Sequence, residues 1–175
     1  MAGRGDRVGD RRIAPSPIRS AMSPESAAAV RASWETLRPD LDALTDVFYH
    51  RLFALAPETL GLFAHVDLAE QRRKLGRMLQ ELVRVLDDPG ALVDEVAPSG
   101  RRHVGYGARD AHYEPVGVAL LQALEARLGD AFTPAVREAW RELYGLVAAV
   151  MRRAGARAVD HRASSSIITP RVIGR

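Results

Sequence analysis

The sequence predicts an all-α fold of six to eight helices, and three observations carry that expectation. From Ser23 onward, apolar residues recur at spacings of three and four. Proline, glycine and capping residues separate one periodic run from the next. No stretch shows the apolar–polar alternation that a half-buried strand requires.

Ser23 can N-cap a helix with Pro24 at its first position and Glu25 in its first turn, followed by Ala27, Val30, Trp34 and Leu37. After Pro39, a stripe of Leu41, Leu44, Phe48, Leu52 and Leu55 marks a second helix, and Pro57 opens a short one towards Phe63. Asp67 with Glu70 forms a capping-box-like start to a helix reaching about Leu86, with Leu68, Leu75, Leu79 and Leu82 on its apolar face. Asp88-Pro89-Gly90 breaks the chain. Leu92, Val96, Ser99 and His103 then share a stripe, in which Pro98 removes a hydrogen bond and disfavours helical geometry at Ala97. A broken or looser helix is expected there. Gly105 and Gly107 mark a turn before the run Val116, Leu120, Leu124, Leu128. Thr133-Pro134 starts a last helix carrying Val136, Trp140, Leu143, Val147 and Val150.

The chain has 175 residues, a single domain's worth, and 47% of them are apolar, which suffices for a sizeable core. There is no cysteine, which excludes disulfides, thiolate zinc sites and a cysteine nucleophile, and suits a reducing cytosol. The first residues lack the apolar core of a secretory signal, and no window approaches a membrane span. A cytoplasmic location is therefore expected.

The formal net charge of +3 is unevenly spread. Residues 1–22 hold five arginines against two aspartates, and residues 152–175 hold six arginines against one aspartate. Residues 23–151 carry 14 basic and 19 acidic residues, so the domain itself lacks the basic balance that nucleic-acid binding needs. Residues 1–22 read as a disordered extension, 23–155 as the folded domain, and 156–175 as a basic, mostly disordered tail. Met22 stands directly before the first helix start, so a natural start there would account for the non-periodic residues upstream. Arg4-Gly5-Asp6 and the Gly3, Gly5, Gly9 series have neither the context nor the spacing of the motifs they suggest.

Periodicity alone stops at a helical protein, and particular residues take the reading further. Phe48-Tyr49-His50-Arg51-Leu52-Phe53, then Pro57 and Leu62-Phe63, resemble the B and C helices of bacterial globins. Arg102-His103-Val104-Gly105-Tyr106-Gly107 and His112-Tyr113-Glu114-Pro115-Val116-Gly117 resemble their F–G region. Gly129-Asp130-Ala131, Ala139-Trp140 and Tyr144-Gly145 resemble the opening of their H helix. The ordered set, over roughly residues 23–154, is similar to a bacterial single-domain globin and to the globin domain of flavohaemoglobins.

That resemblance implies a haem b whose iron is held by His103. Tyr49 and Gln71 would be distal donors to a bound gas, against readings as a core tyrosine and a solvated helix residue. Phe63 and Leu75 would wall the pocket, Tyr113 would join a proximal hydrogen-bonding group, and Val116 would touch the haem edge. Arg101 or Arg102 would suit a haem propionate. His50, His65, His112 and His161 have no such support and read as solvated.

Two residues depart from the family pattern. Ser99 stands where globins usually carry a haem-packing leucine, and Gly155 falls where flavohaemoglobins place a glutamate that polarises the proximal histidine. With no carboxylate there, oxygen-activating chemistry is expected to be weaker. Reversible binding of O₂ (with NO or CO as other ligands) is the leading functional expectation. Nitric-oxide dioxygenation with an external reductase, and gas or redox sensing through the basic tails, are the alternatives.

Overall fold

The computed structural model describes the backbone of residues 22–166 and the side chains of residues 22–160. Six α-helices appear there: α1 (Pro24–Leu37), α2 (Leu41–Leu55), α3 (Leu68–Arg84), α4 (Pro89–Gly105), α5 (Tyr113–Leu128) and α6 (Pro134–Ser166). Short 3₁₀ turns at Arg38–Asp40, Pro57–Phe63, Asp110–His112 and Gly129–Ala131 join them, and no strand occurs among the described residues.

Local chemistry starts the helices. The Ser23 hydroxyl accepts from Ser26 N at 3.0 Å, Asp67 accepts from Ala69 N and Glu70 N, and Asp88 from Gly90 N and Ala91 N. At the far end of α4, Gly107 takes φ +85° and the Ala108 N–H donates back to the His103 carbonyl at 2.9 Å. That left-handed glycine closes the helix and sets the direction of the chain beyond it.

The packing order is α4 along α6, α2 against α5, α1 on α6 and α3 on α2. Val30, Leu44, Val96, Leu124, Trp140 and Leu143 are essentially inaccessible at its centre. Trp140 donates its indole N–H to Ser33 Oγ at 2.9 Å, and Ser33 in turn donates to the Ala29 carbonyl at 2.8 Å. Both polar groups are thereby satisfied inside the core, as burial demands.

The structure departs from the sequence expectations in three places. α4 is unbroken through Pro98. Leu92, Val96, Ser99 and Gly100 are buried on either side of the proline, and α4 lies along α6, so tertiary packing offsets the lost hydrogen bond. Leu55 ends the α2 stripe at 45% exposure and adds nothing to the core. α6 continues past Gly155 to Ser166, where a mostly disordered tail was expected to begin. Residues 1–21 and 167–175 lie outside the described residues, as does the His161 side chain.

α4 and α6 meet through glycine. A Cβ at Gly100 would collide with the Met151 carbonyl oxygen and Cα, both backbone atoms that cannot rotate away. Gly100→Ala should therefore lower unfolding free energy by about 1–3 kcal/mol, the usual range for overpacking. Urea denaturation checks this; an unchanged midpoint would mean that α6 retreats from α4 without cost.

Candidate functional site

His103 stands in the last turn of α4 with its side chain exposed. Its Nδ1 lies 2.8 Å from the carbonyl oxygen of Ser99, one turn back. A carbonyl can only accept, so Nδ1 carries the proton and donates it. In the neutral ring Nε2 then keeps its lone pair, and it has no hydrogen-bond partner among the described residues. Ser99 is buried and serves twice, because its hydroxyl also accepts from Arg102 Nη2 at 2.8 Å.

Tyr49 lies in α2 at 6% exposure, inside an aromatic group. Its ring meets Phe48 edge-on at 5.0 Å and Phe63 edge-on at 5.6 Å, and Phe53 lies 5.8 Å away. No hydrogen bond to its hydroxyl occurs among the described residues. Burial pushes the phenol from the usual 10.0 up to about 12, while the Arg72 charge pulls it back in part. In α3, Gln71 and Leu75 are one turn apart and both half-buried. Helical spacing puts them on a stripe with Leu82, to one side of Gly76, which packs over Leu41 of α2.

The proximal and distal segments adjoin at the turn after α4. A Cβ on Gly107 would sit 3.6 Å from Leu62, the neighbour of Phe63. Phe63 is half-buried against Tyr49 and Phe53, and Val116 is half-buried in the first turn of α5.

A globin family model matches residues 46–151. The chain is a globin. It is 34% identical over 129 residues to flavohemoproteins of Bordetella pertussis and Bordetella parapertussis, covering 73% of this chain and 32% of theirs. It is also 30% identical over 155 residues to a neuroglobin of Dissostichus mawsoni, covering 81% of this chain and 98% of the relative. The chain thus spans about a third of the flavohemoproteins and nearly all of the neuroglobin.

Membership of the globin family implies a haem, and the residues of this globin fit one. A histidine with its Nδ1 proton engaged and Nε2 free is the donor that iron takes, and the Ser99 carbonyl fixes the ring. Half-buried Phe63, Leu75 and Val116 offer apolar surface for a porphyrin.

Three positions around that site have their own surroundings. Gly155 is buried with its hypothetical Cβ 2.6 Å from Val104 Cγ2, so no glutamate-sized side chain fits there without moving α4. Tyr113 is not joined to His103: its ring lies under the Arg152 guanidinium at 4.9 Å, and its carbonyl accepts from the Tyr144 hydroxyl. Arg102 is occupied by Ser99.

His112, expected to be solvated, is instead buried at 8% exposure, with Nδ1 accepting from Arg109 N at 3.2 Å. It closes the turn before α5. His50 and His65 are exposed as expected. Sequence reasoning passed over Arg72, whose Nη2 pairs with Asp46 at 2.6 Å and whose charge is felt at Tyr49. Its signal was a basic residue beside Gln71, one of several in QRRK and indistinguishable from them in a linear reading.

The raised Tyr49 value has a consequence in alkali. Between pH 10 and 12 the unfolded chain sheds this proton and the folded chain keeps it. Stability is therefore unaffected below that window and falls as pH rises through it, by up to about 1.4 kcal/mol per pH unit for this group. Tyr49→Phe should remove that share from the slope of unfolding free energy against pH above 10. Equal slopes in both proteins would show that the phenol ionises as if exposed.

Proposed function

We propose that this globin binds O₂ reversibly at a haem b iron held by His103, in the manner of an oxygen carrier or buffer. The observation that carries the reading is the His103 ring, pinned at Nδ1 by the Ser99 carbonyl with Nε2 left for a metal. When bound, the haem supplies an iron with one open position for a diatomic ligand. On the distal side, Tyr49 and Gln71 bring an O–H and an N–H, both suited to a ligand that carries partial negative charge. Phe63 and Leu75 exclude water around them, which strengthens those hydrogen bonds. Each is worth on the order of 1 kcal/mol, enough to slow escape of O₂ and to favour it over apolar CO.

The acceptor behind His103 separates this reading from its rival. A backbone carbonyl is neutral, so the imidazole gains less electron density than a carboxylate would give it. That supports binding over activation. A second reading, nitric-oxide dioxygenation with an external reductase, is favoured by the similarity to flavohemoproteins over a third of their length.

His103→Ala should abolish the Soret absorption of the purified protein, and His65→Ala, at an exposed position, should leave it intact. Retention of haem by His103→Ala would overturn the ligand assignment. Tyr49→Phe should speed O₂ dissociation on the order of tenfold, the equivalent of about 1.4 kcal/mol. Stopped-flow displacement by CO measures it. Sustained NO consumption with O₂ and a generic reductase would place the dioxygenase reading first.

A further inference from the structure

Arg72 is an arginine with one donor placed and another stranded. Its Nη2 reaches Asp46 Oδ1 at 2.6 Å across the α2–α3 contact. Its Nε is sealed from solvent and has no hydrogen-bond partner. Arginine cannot shed a proton or turn acceptor, so a buried Nε–H calls for an oxygen nearby. Asp46 and Tyr49 are three residues apart on α2 and so occupy neighbouring places on one helix face. A guanidinium anchored on Asp46 thus places a charge that is felt at Tyr49, whose hydroxyl oxygen has open lone pairs, and no bond joins the two in this structure.

We propose that Arg72 is a positioning residue, its stranded Nε–H turning to the Tyr49 hydroxyl oxygen once a distal ligand is bound, so that the phenolic proton is directed to that ligand. The chemistry is one-sided. A tyrosine hydroxyl has one proton and two lone pairs; a donor-only neighbour can engage only the lone pairs. With the oxygen so occupied, the O–H is left to the ligand and polarised by the cation behind it. Asp46 keeps the planar guanidinium from turning away, so the triad is Asp46, Arg72 and Tyr49, of which only Tyr49 touches the ligand. This inference rests on the reading of Tyr49 as a distal donor.

The test is a double-mutant cycle on the full-length reduced protein. Arg72→Leu should speed O₂ dissociation about fivefold in the wild-type background and have no effect on Tyr49→Phe, the coupling expected of contacting groups. Arg72→Gln replaces it if the leucine variant does not fold. Equal acceleration in both backgrounds would mean that Arg72 acts only on packing, and would overturn the proposal. The second readout is the Arg72 Nε–H resonance in the reduced, CO-saturated protein. Its protection from solvent exchange should be lost in Tyr49→Phe, where burial remains but the acceptor is gone; unchanged protection overturns the proposal. If the protein takes up no haem, the functional reading fails and the proposal with it; a haem-loaded protein with unchanged protection fails the proposal alone.

Discussion

Two glycines let α4 and α6 approach until backbone meets backbone, and the setting of His103 follows from that contact. Gly100 lies against Met151, and Gly155 against Val104 and the Gly100 carbonyl. The crossing leaves no volume for a side chain at 155, which is where a carboxylate would have to stand to reach the proximal ring. The nearest acceptor remaining is on α4 itself, the Ser99 carbonyl at 2.8 Å. A choice made by packing thus becomes a choice about charge: the imidazole is fixed by a dipole and not by an anion. Ser99 also explains itself here. A leucine at this place could not accept from Arg102, whereas the serine hydroxyl does.

The distal half is organised by an opposite constraint, the cost of leaving polar groups in an apolar enclosure. Tyr49 is surrounded by Phe48, Phe53 and Phe63, and this burial raises its phenol to about 12, so that it stays protonated well into alkali. A protonated phenol is a donor, and a donor with no protein acceptor is poised for a ligand. Proximal and distal sides share one logic. In each, a side chain has one end held or screened by the protein and one end left open.

Much of this was legible in the chain because it is local. Ser23, Asp67 and Asp88 cap where their spacing to the following helix says they must, and Gly107 ends α4 because only a glycine accepts its φ easily. His103, Tyr49 and Phe63 were singled out as candidates by the residues flanking them. What escaped depends on partners distant in sequence. Pro98 argues for a break until α6 is laid along the helix and holds it together. His112 looks solvated until its turn folds it inward onto the Arg109 amide. Arg72 is one arginine among neighbours until α3 crosses α2 and sets it over Asp46. Tyr113 is met at its ring by Arg152 and at its carbonyl by Tyr144, both reaching it from α6, which no linear reading shows.

The helix that supplies those two residues also bears on the proposed function. α6 contributes Trp140 to the core, Tyr144 and Arg152 to the start of α5, and Gly155 to the crossing with α4. A Cβ on Gly117 would lie 2.5 Å from the Tyr144 ring, so α5 is seated on α6 through that side chain. His103 therefore sits on a helix whose partner is itself locked at several points along its length. On the proposed reading, rigid support of a single neutral acceptor suits a histidine that holds iron in one geometry while ligands come and go. Oxygen activation asks for something else, an anion behind the ring to push charge towards iron, and the tight α4–α6 seam leaves none at Gly155. The same close packing that stabilises the fold thereby supports the proposed reading of binding and release.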